Sequence, residues 1–302
     1  MNNSRRKFLK QSGFAIAGAA IISNKLFSMN AATNHILGIQ LYSVRDDMQK
    51  DPAGTLKQLA AMGYKDVEHA GYEDRKFYGY SPADFKKFLN DLGLNMVSGH
   101  SYLGAKAWDK SKNDFTDEWK NTFEDAAAAG MNYVFSPGVD DSLTKNENDY
   151  KWYMDMFNKT GELAKKSGIQ FGYHSESDEF NHYINNKRLY DILLDTTDKS
   201  LVAQQIDIGN MYGPGGRAME YLKNYPGRFI AMHVKDEIKS NKPNRDYEST
   251  VLGKGVVGVK EIVDTAHSQG TKLFIIEQES YQDKTPIDCA KEDLATMKQW
   301  GF

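Results

Sequence analysis

The chain has 302 residues, with 38 basic and 41 acidic side chains, one cysteine and 12% aromatic content. Residues 1–32 hold five basic groups and no acidic one, so 33 basic and 41 acidic side chains remain beyond them, a formal charge of −8. That acidity repels phosphate backbones and excludes nucleic acid as an expected partner, while the lone Cys289 excludes an internal disulfide.

The amino terminus reads Ser4-Arg5-Arg6-Lys7-Phe8-Leu9-Lys10, then an apolar run from Gly13 to Ile22, then small residues around Ser28 to Ala32. A basic start, a short apolar centre and a small-residue cleavage region predict a signal peptide over 1–32, with a centre too short to span a bilayer. The arginine pair followed by Phe-Leu-Lys resembles a twin-arginine export signal, which carries folded proteins. A periplasmic mature chain of 33–302 is therefore expected, without stable membrane insertion after processing. A basic tail or a retained anchor are the alternatives.

Beyond it, eight strand candidates alternate with helical patterns: Ile36–Tyr42, Asp66–Ala70, Asn95–Ser98, Tyr133–Ser136, Ile169–His174, Val202–Asp207, Phe229–His233 and Leu273–Glu277. Most are continuous apolar runs, which suits parallel strands covered on both faces. Between them, Asp51-Pro52 and Ser81-Pro82 supply helix starts, and Gly63, Gly93, Gly130, Gly168 and Gly270 supply stops just before strands. The α/β order predicts a single (β/α)8 TIM barrel, a fold that reaches this length as one domain. The longest connection, Asp236 to Val257, is expected to be an irregular loop, either a lid or without a role. Gly213-Pro-Gly-Gly216 lacks the lysine of a phosphate loop and reads as a turn.

Parallel barrel strands all end at one rim, so His174, Asp207, His233 and Glu277, at the ends of the last four, are expected to converge there. Side chains two apart share a strand face, which adds Lys235, Glu176, Glu279, Gln205, Gln40 with Tyr42, Glu68 with Ala70, and Ser98 with His100. Buried charges persist when paired or bound to metal. Two imidazoles and two carboxylates suit a divalent cation such as Mn, Co, Fe, Zn or Mg rather than Ca. Any one of these residues alone reads more simply as a hydrogen-bonded structural group, and Glu68 and His100 read equally as structural or functional. His69, Glu279 and Asp236 are expected to be supporting or solvated positions, and the tryptophans and Cys289 to be core.

The segments "GIQLYSVRDDM", "VEHAGY", "VSGHS", "GYHSES", "IDIGN", "HVKD" and "IIEQES" together resemble the xylose isomerase-like barrel superfamily, in particular its exported branch of sugar phosphate isomerases/epimerases. The resemblance runs from Ile36 to the carboxyl end. It implies a divalent metal held by His174, where many relatives place Glu, with Asp207, His233 and Glu277. It also implies removal of a proton next to a carbonyl, with Glu176 and Glu277 as acid/base candidates. Lys235 and His100 would stabilise charge or bind hydroxyls, and Gln40, Glu68 and Tyr42 would bind the sugar. The branch often has His-Asn-His where this chain has His174-Ser175-Glu176, which leaves open whether Glu176 is base, ligand or neither.

Export disfavours phosphorylated sugars and makes a small neutral sugar or glycoside the expected partner; the resemblance of the exported branch to enzymes that act on 3-keto-glycosides implies a keto-sugar or 3-keto-glycoside, with epimerisation and elimination sharing one enediolate. A carbohydrate-binding barrel without turnover is the alternative from another class. Metal-assisted phosphodiester cleavage would need a basic face that this chain lacks.

Overall fold

The computed structural model describes residues 35–243 and 245–302; the expected signal segment 1–32 lies outside them. Eight parallel strands close a barrel in sequential order. They are β1 Ile36–Gln40, β2 Asp66–His69, β3 Asn95–His100, β4 Tyr133–Pro137, β5 Gln170–His174, β6 Ala203–Asp207, β7 Ala231–Val234 and β8 Leu273–Ile276. Helices that include Pro52–Met62, Pro82–Asp91, Glu147–Lys166 and Pro286–Trp300 alternate with them. The expected punctuation is present: the Asp51 carboxylate accepts from Gly54 N at 2.9 Å, and Gly63, Gly93, Gly130, Gly168 and Gly270 all take positive φ.

Side-chain alternation divides the strands. On β6 to β8, Ile206, Met232, Phe274 and Ile276 face outward and join the large core beneath the helices. Val97, Phe135, Ala203, Ala231, Leu273 and Ile275 form a separate apolar cluster. The aromatic ring of Phe135 explains Gly172, because a Cβ there would stand 2.6 Å from it and 2.8 Å from the Ala203 carbonyl. Filled in this way the barrel is plugged below, and the next inward positions along the strands are polar.

Three expectations change. First, β1 stops at Gln40 rather than Tyr42, because the Gln40 carboxamide accepts from Tyr42 N at 3.2 Å and opens a 3-10 turn over Leu41–Val44. Tyr42 therefore leaves the strand face of Gln40 and is 42% exposed.

Second, the Asp236–Val257 connection is not irregular throughout. It contains an antiparallel pair, Asp236–Lys239 with Tyr247–Thr250. Third, Asp236 is buried, not solvated: its carboxylate takes the N–H groups of Glu237, Gly253, Gly255 and Val257 at 2.9–3.2 Å and pins the base of this connection. Smaller hairpins follow β2, β3 and β5, at Tyr72–Phe77, Trp108–Phe115 and Tyr183–Arg188.

Candidate functional site

The register brings the polar residues together. Asp207 on β6 is opposite His233 on β7, His174 on β5 is opposite Gln205, and Gln40 on β1 is opposite Glu68 on β2. Glu277 follows β8 directly and Lys235 follows β7 directly.

His233 Nδ1 lies 3.0 Å from Glu277 Oε2 and 3.7 Å from Asp207 Oδ2, and His174 Nε2 lies 3.9 Å from that same Asp207 oxygen. Donors bound at about 2.0–2.2 Å to one cation stand roughly 3–4 Å apart, so these spacings suit a shared ion. Among the described residues, Asp207, His233 and Glu277 form one group able to hold a metal, and His100, His174 and His233 form another. Asp207 Oδ1 accepts from Gly209 N and Asn210 N, both at 2.8 Å, while the buried Oδ2 accepts no hydrogen bond. A buried carboxylate oxygen that accepts no hydrogen bond, with an ammonium 3.1 Å away and two imidazoles and a second carboxylate beside it, fits a divalent cation, with nitrogen and oxygen donors of the Zn or Mn type.

Lys235, expected to stabilise charge or bind hydroxyls, is fully buried and engaged by carboxylates. Its Nζ is 2.8 Å from Glu277 Oε2, 2.5 Å from Glu279 Oε1, 2.9 Å from Asn210 Oδ1 and 3.1 Å from Asp207 Oδ2. Burial opposes its charge, yet Asp207, Glu277 and Glu279 raise its pKa well above the ordinary lysine value. Burial likewise opposes a charged Glu277, but Lys235 and His233 hold that carboxyl well below the usual range. Glu277 is thus a fixed anion, suited to a ligand more than to a proton carrier. Burial, with His233 and His100 beside it, keeps His174 neutral, the form that binds metals.

Glu176 differs. It lines the cavity, 3.7 Å from His174 Nε2, and its Oε2 accepts from Asn210 Nδ2 at 2.8 Å. Burial and the carboxylates of Asp207 and Glu277 push its pKa well above the ordinary range against the pull of Lys235. Glu179, missed by the sequence reading, orients it: the carboxylate of Glu179 accepts from Glu176 N at 2.6 Å and from the Tyr173 hydroxyl at 2.6 Å. Burial raises Glu179 to about 7.

The mouth is a cavity of about 310 Å³ lined by Tyr42, Ala70, His100, Pro137, His174, Glu176, Asn210, Glu277 and Glu279. Tyr42 and His100 are therefore on its wall. Gln40 and Glu68 are not: both are wholly buried, joined by a 2.8 Å hydrogen bond from Gln40 Nε2 to Glu68 Oε1, with Ser98 Oγ donating at 2.6 Å to Glu68 Oε2. His69 points to the helix side, edge-on to Phe77 at 4.8 Å, and burial lowers its pKa to about 3.

A family profile described as Xylose isomerase-like TIM barrel matches residues 56–300. An inosose dehydratase from Clostridium perfringens (strain 13 / Type A) is 29% identical over 252 residues, 74% of this chain and 82% of that protein. A sugar phosphate isomerase/epimerase from Parabacteroides distasonis ATCC 8503 superposes with a TM-score of 0.76 at 26% identity, over 88% of this chain and 98% of that one. An IolI protein with a binding zinc atom shares the fold, with a TM-score of 0.65 at 13% identity over 88% of this chain and 97% of that one.

Proposed function

The chain belongs to the xylose isomerase-like TIM barrel family, and on that premise we propose a divalent-metal-dependent isomerase, epimerase or lyase that removes a proton next to a carbonyl of a keto-sugar or 3-keto-glycoside. The observation that carries this reading is the meeting of His174, Asp207, His233 and Glu277 around an oxygen of Asp207 that accepts no hydrogen bond, with Glu176 beside them. A cation held by those four would polarise the substrate carbonyl and acidify the adjacent C–H.

The chain's own residues supply the remainder. Glu176, held by Asn210 and by Glu179 through its backbone N–H, accepts the proton from carbon. Delivery of a solvent-derived proton to the opposite face gives an epimer; expelling the substituent on the next carbon, which leaves with the bonding pair and takes up a proton, gives elimination. His100 on the wall is positioned to meet a substrate hydroxyl, and Tyr42 gives a sugar ring an aromatic face at the entrance. Lys235 balances the carboxylates from below.

The lining also supports a neutral substrate. Among the described residues it contains three carboxylates and no lysine or arginine, and the nearby Lys235 is already saturated. A phosphate group would find no free cation there. Export by the twin-arginine-type segment Ser4 to Lys10 would place the reaction in the periplasm, where neutral glycosides are the available class. Cell fractionation before and after Arg5→Lys/Arg6→Lys substitution tests that placement.

The decisive experiment incubates the protein in deuterium oxide with 3-keto-glucosides and free ketoses, with and without chelator. Metal-dependent deuterium uptake is expected, with aglycone release marking elimination and a new epimer marking isomerisation. Sugar affinity without uptake or product from any of them would identify a binding barrel instead.

A further inference from the structure

Glu68 is the most heavily engaged carboxylate of the site, and none of its atoms reaches solvent. Besides Gln40 and Ser98, it receives Gln205 Nε2 at 2.8 Å, His233 Nε2 at 2.6 Å and His100 Nε2 at 3.1 Å. Five groups thus converge on its two oxygens, and Tyr42 N, by holding the Gln40 carbonyl oxygen, fixes the NH2 end of Gln40 against Glu68. A carboxylate ringed by donors acts only as an acceptor, and that fact propagates outward.

The end of Gln205 that meets Glu68 must be its NH2, so its carbonyl oxygen faces the other way. That oxygen lies 2.8 Å from His174 Nδ1 and 2.9 Å from His100 Nε2. A carbonyl oxygen accepts as well, so both ring nitrogens carry protons. With Nδ1 engaged by Gln205, the nitrogen that His174 can offer a cation is Nε2, aimed toward Asp207 Oδ2 at 3.9 Å and Glu176 Oε1 at 3.7 Å. By the same rule His233 carries a proton at Nε2, against Glu68, so Nδ1, which faces Asp207 and Glu277, is the nitrogen that would give up its proton to a bound cation.

We propose that Glu68 is a positioning residue that sets the ring tautomers of both imidazole ligands, His233 directly and His174 through the Gln205 amide, so that each presents a lone pair to the cation. The inference rests on the metal reading above. It accounts for the complete burial of Glu68 and Gln205 without giving either a substrate contact. Three side chains from β2, β6 and β7, far apart in sequence, then act as one orienting device for a cation none but His233 touches.

Long-range proton–nitrogen spectra of 15N-histidine-labelled protein, without metal and loaded with Zn2+, test this. His174 should be protonated at Nδ1 in both states, and His233 at Nε2 in the Zn2+ state. Gln205→Leu should release the His174 tautomer and leave that of His233, whereas Glu68→Gln should release both. Each should weaken Zn2+ binding, read by competition with a chelating indicator, by about 10–100-fold. A role in packing alone would lower thermal stability without moving the tautomers.

The proposal is overturned by an Nε2 proton on His174 in the wild-type protein, or by Glu68→Gln protein that keeps both tautomers. The wild-type spectra decide the assignment even where a variant fails to fold. Wild-type protein with these tautomers but no Zn2+ retention would remove the metal reading and leave the hydrogen-bond relay standing.

Discussion

Lys235 and Glu277 face each other across the ends of β7 and β8, with the ammonium nitrogen 2.8 Å from Glu277 Oε2 and 3.1 Å from Asp207 Oδ2. The same ammonium thus neutralises two of the proposed metal donors. Replacing it with Met leaves Asp207, Glu277 and Glu279 without that cation. Breaking a buried pair of this kind costs about 3–5 kcal/mol, a loss that urea denaturation of metal-free Lys235→Met protein should show. Mn2+ at a hundredfold excess over its dissociation constant should return roughly 2.7 kcal/mol. Unchanged stability, or no recovery with Mn2+, would contradict the placement of the cation among these carboxylates.

In the proposed site His233 Nδ1 is a donor to the cation, so His233→Ala would remove a donor outright. Metal retained after dialysis, measured by elemental analysis, should fall by more than the roughly 10–100-fold typical of residues that only support a ligand. Wild-type metal content in this variant would mean that the ion binds elsewhere.

Glu176→Gln keeps the side-chain shape and removes the proposed proton acceptor. Turnover in the deuterium exchange assay should drop about 10²–10⁴-fold while bound metal is unchanged. Loss of metal together with activity would instead make Glu176 a ligand, the alternative left open by its place two residues after His174.

Asp293 gives the pH prediction. It is a buried residue of the Pro286–Trp300 helix, where Oδ1 accepts from Leu252 N at 2.8 Å and Oδ2 accepts nothing; burial raises its pKa to about 7. A carboxyl whose folded pKa is raised binds a proton in the folded state that the unfolded chain has already released. Its contribution to stability therefore falls as pH rises from about 4 to about 7, and levels off above. Asp293→Asn should remove that slope, on the order of 3–4 kcal/mol at most across the window. Urea midpoints at pH 5 and pH 8 check it, and an unchanged slope would refute the assignment.

The barrel was legible because its cues are local: apolar runs of strand length, and a glycine in the left-handed conformation before each of five strands. The ends of the last four strands followed from fold geometry alone, and His174, Asp207, His233 and Glu277 do meet. What escaped the reading depends on contacts between distant residues. Glu68 and Gln205 are 137 positions apart, and nothing near either indicates that one bonds the other. Tyr42 was misplaced because a side-chain cap, not a break in apolar pattern, ends β1. The hairpin after β5 did carry a signal, since Asn185-Asn186 suits a turn with two positive φ values, and both residues adopt them.

The hairpins after β2, β3, β5 and β7 pair within themselves, not with the barrel strands. Each is therefore a self-contained graft on a rigid stem. Lengthening or exchanging one would reshape the rim while the polar floor kept its coordinates, so what the barrel admits can change without disturbing the groups underneath.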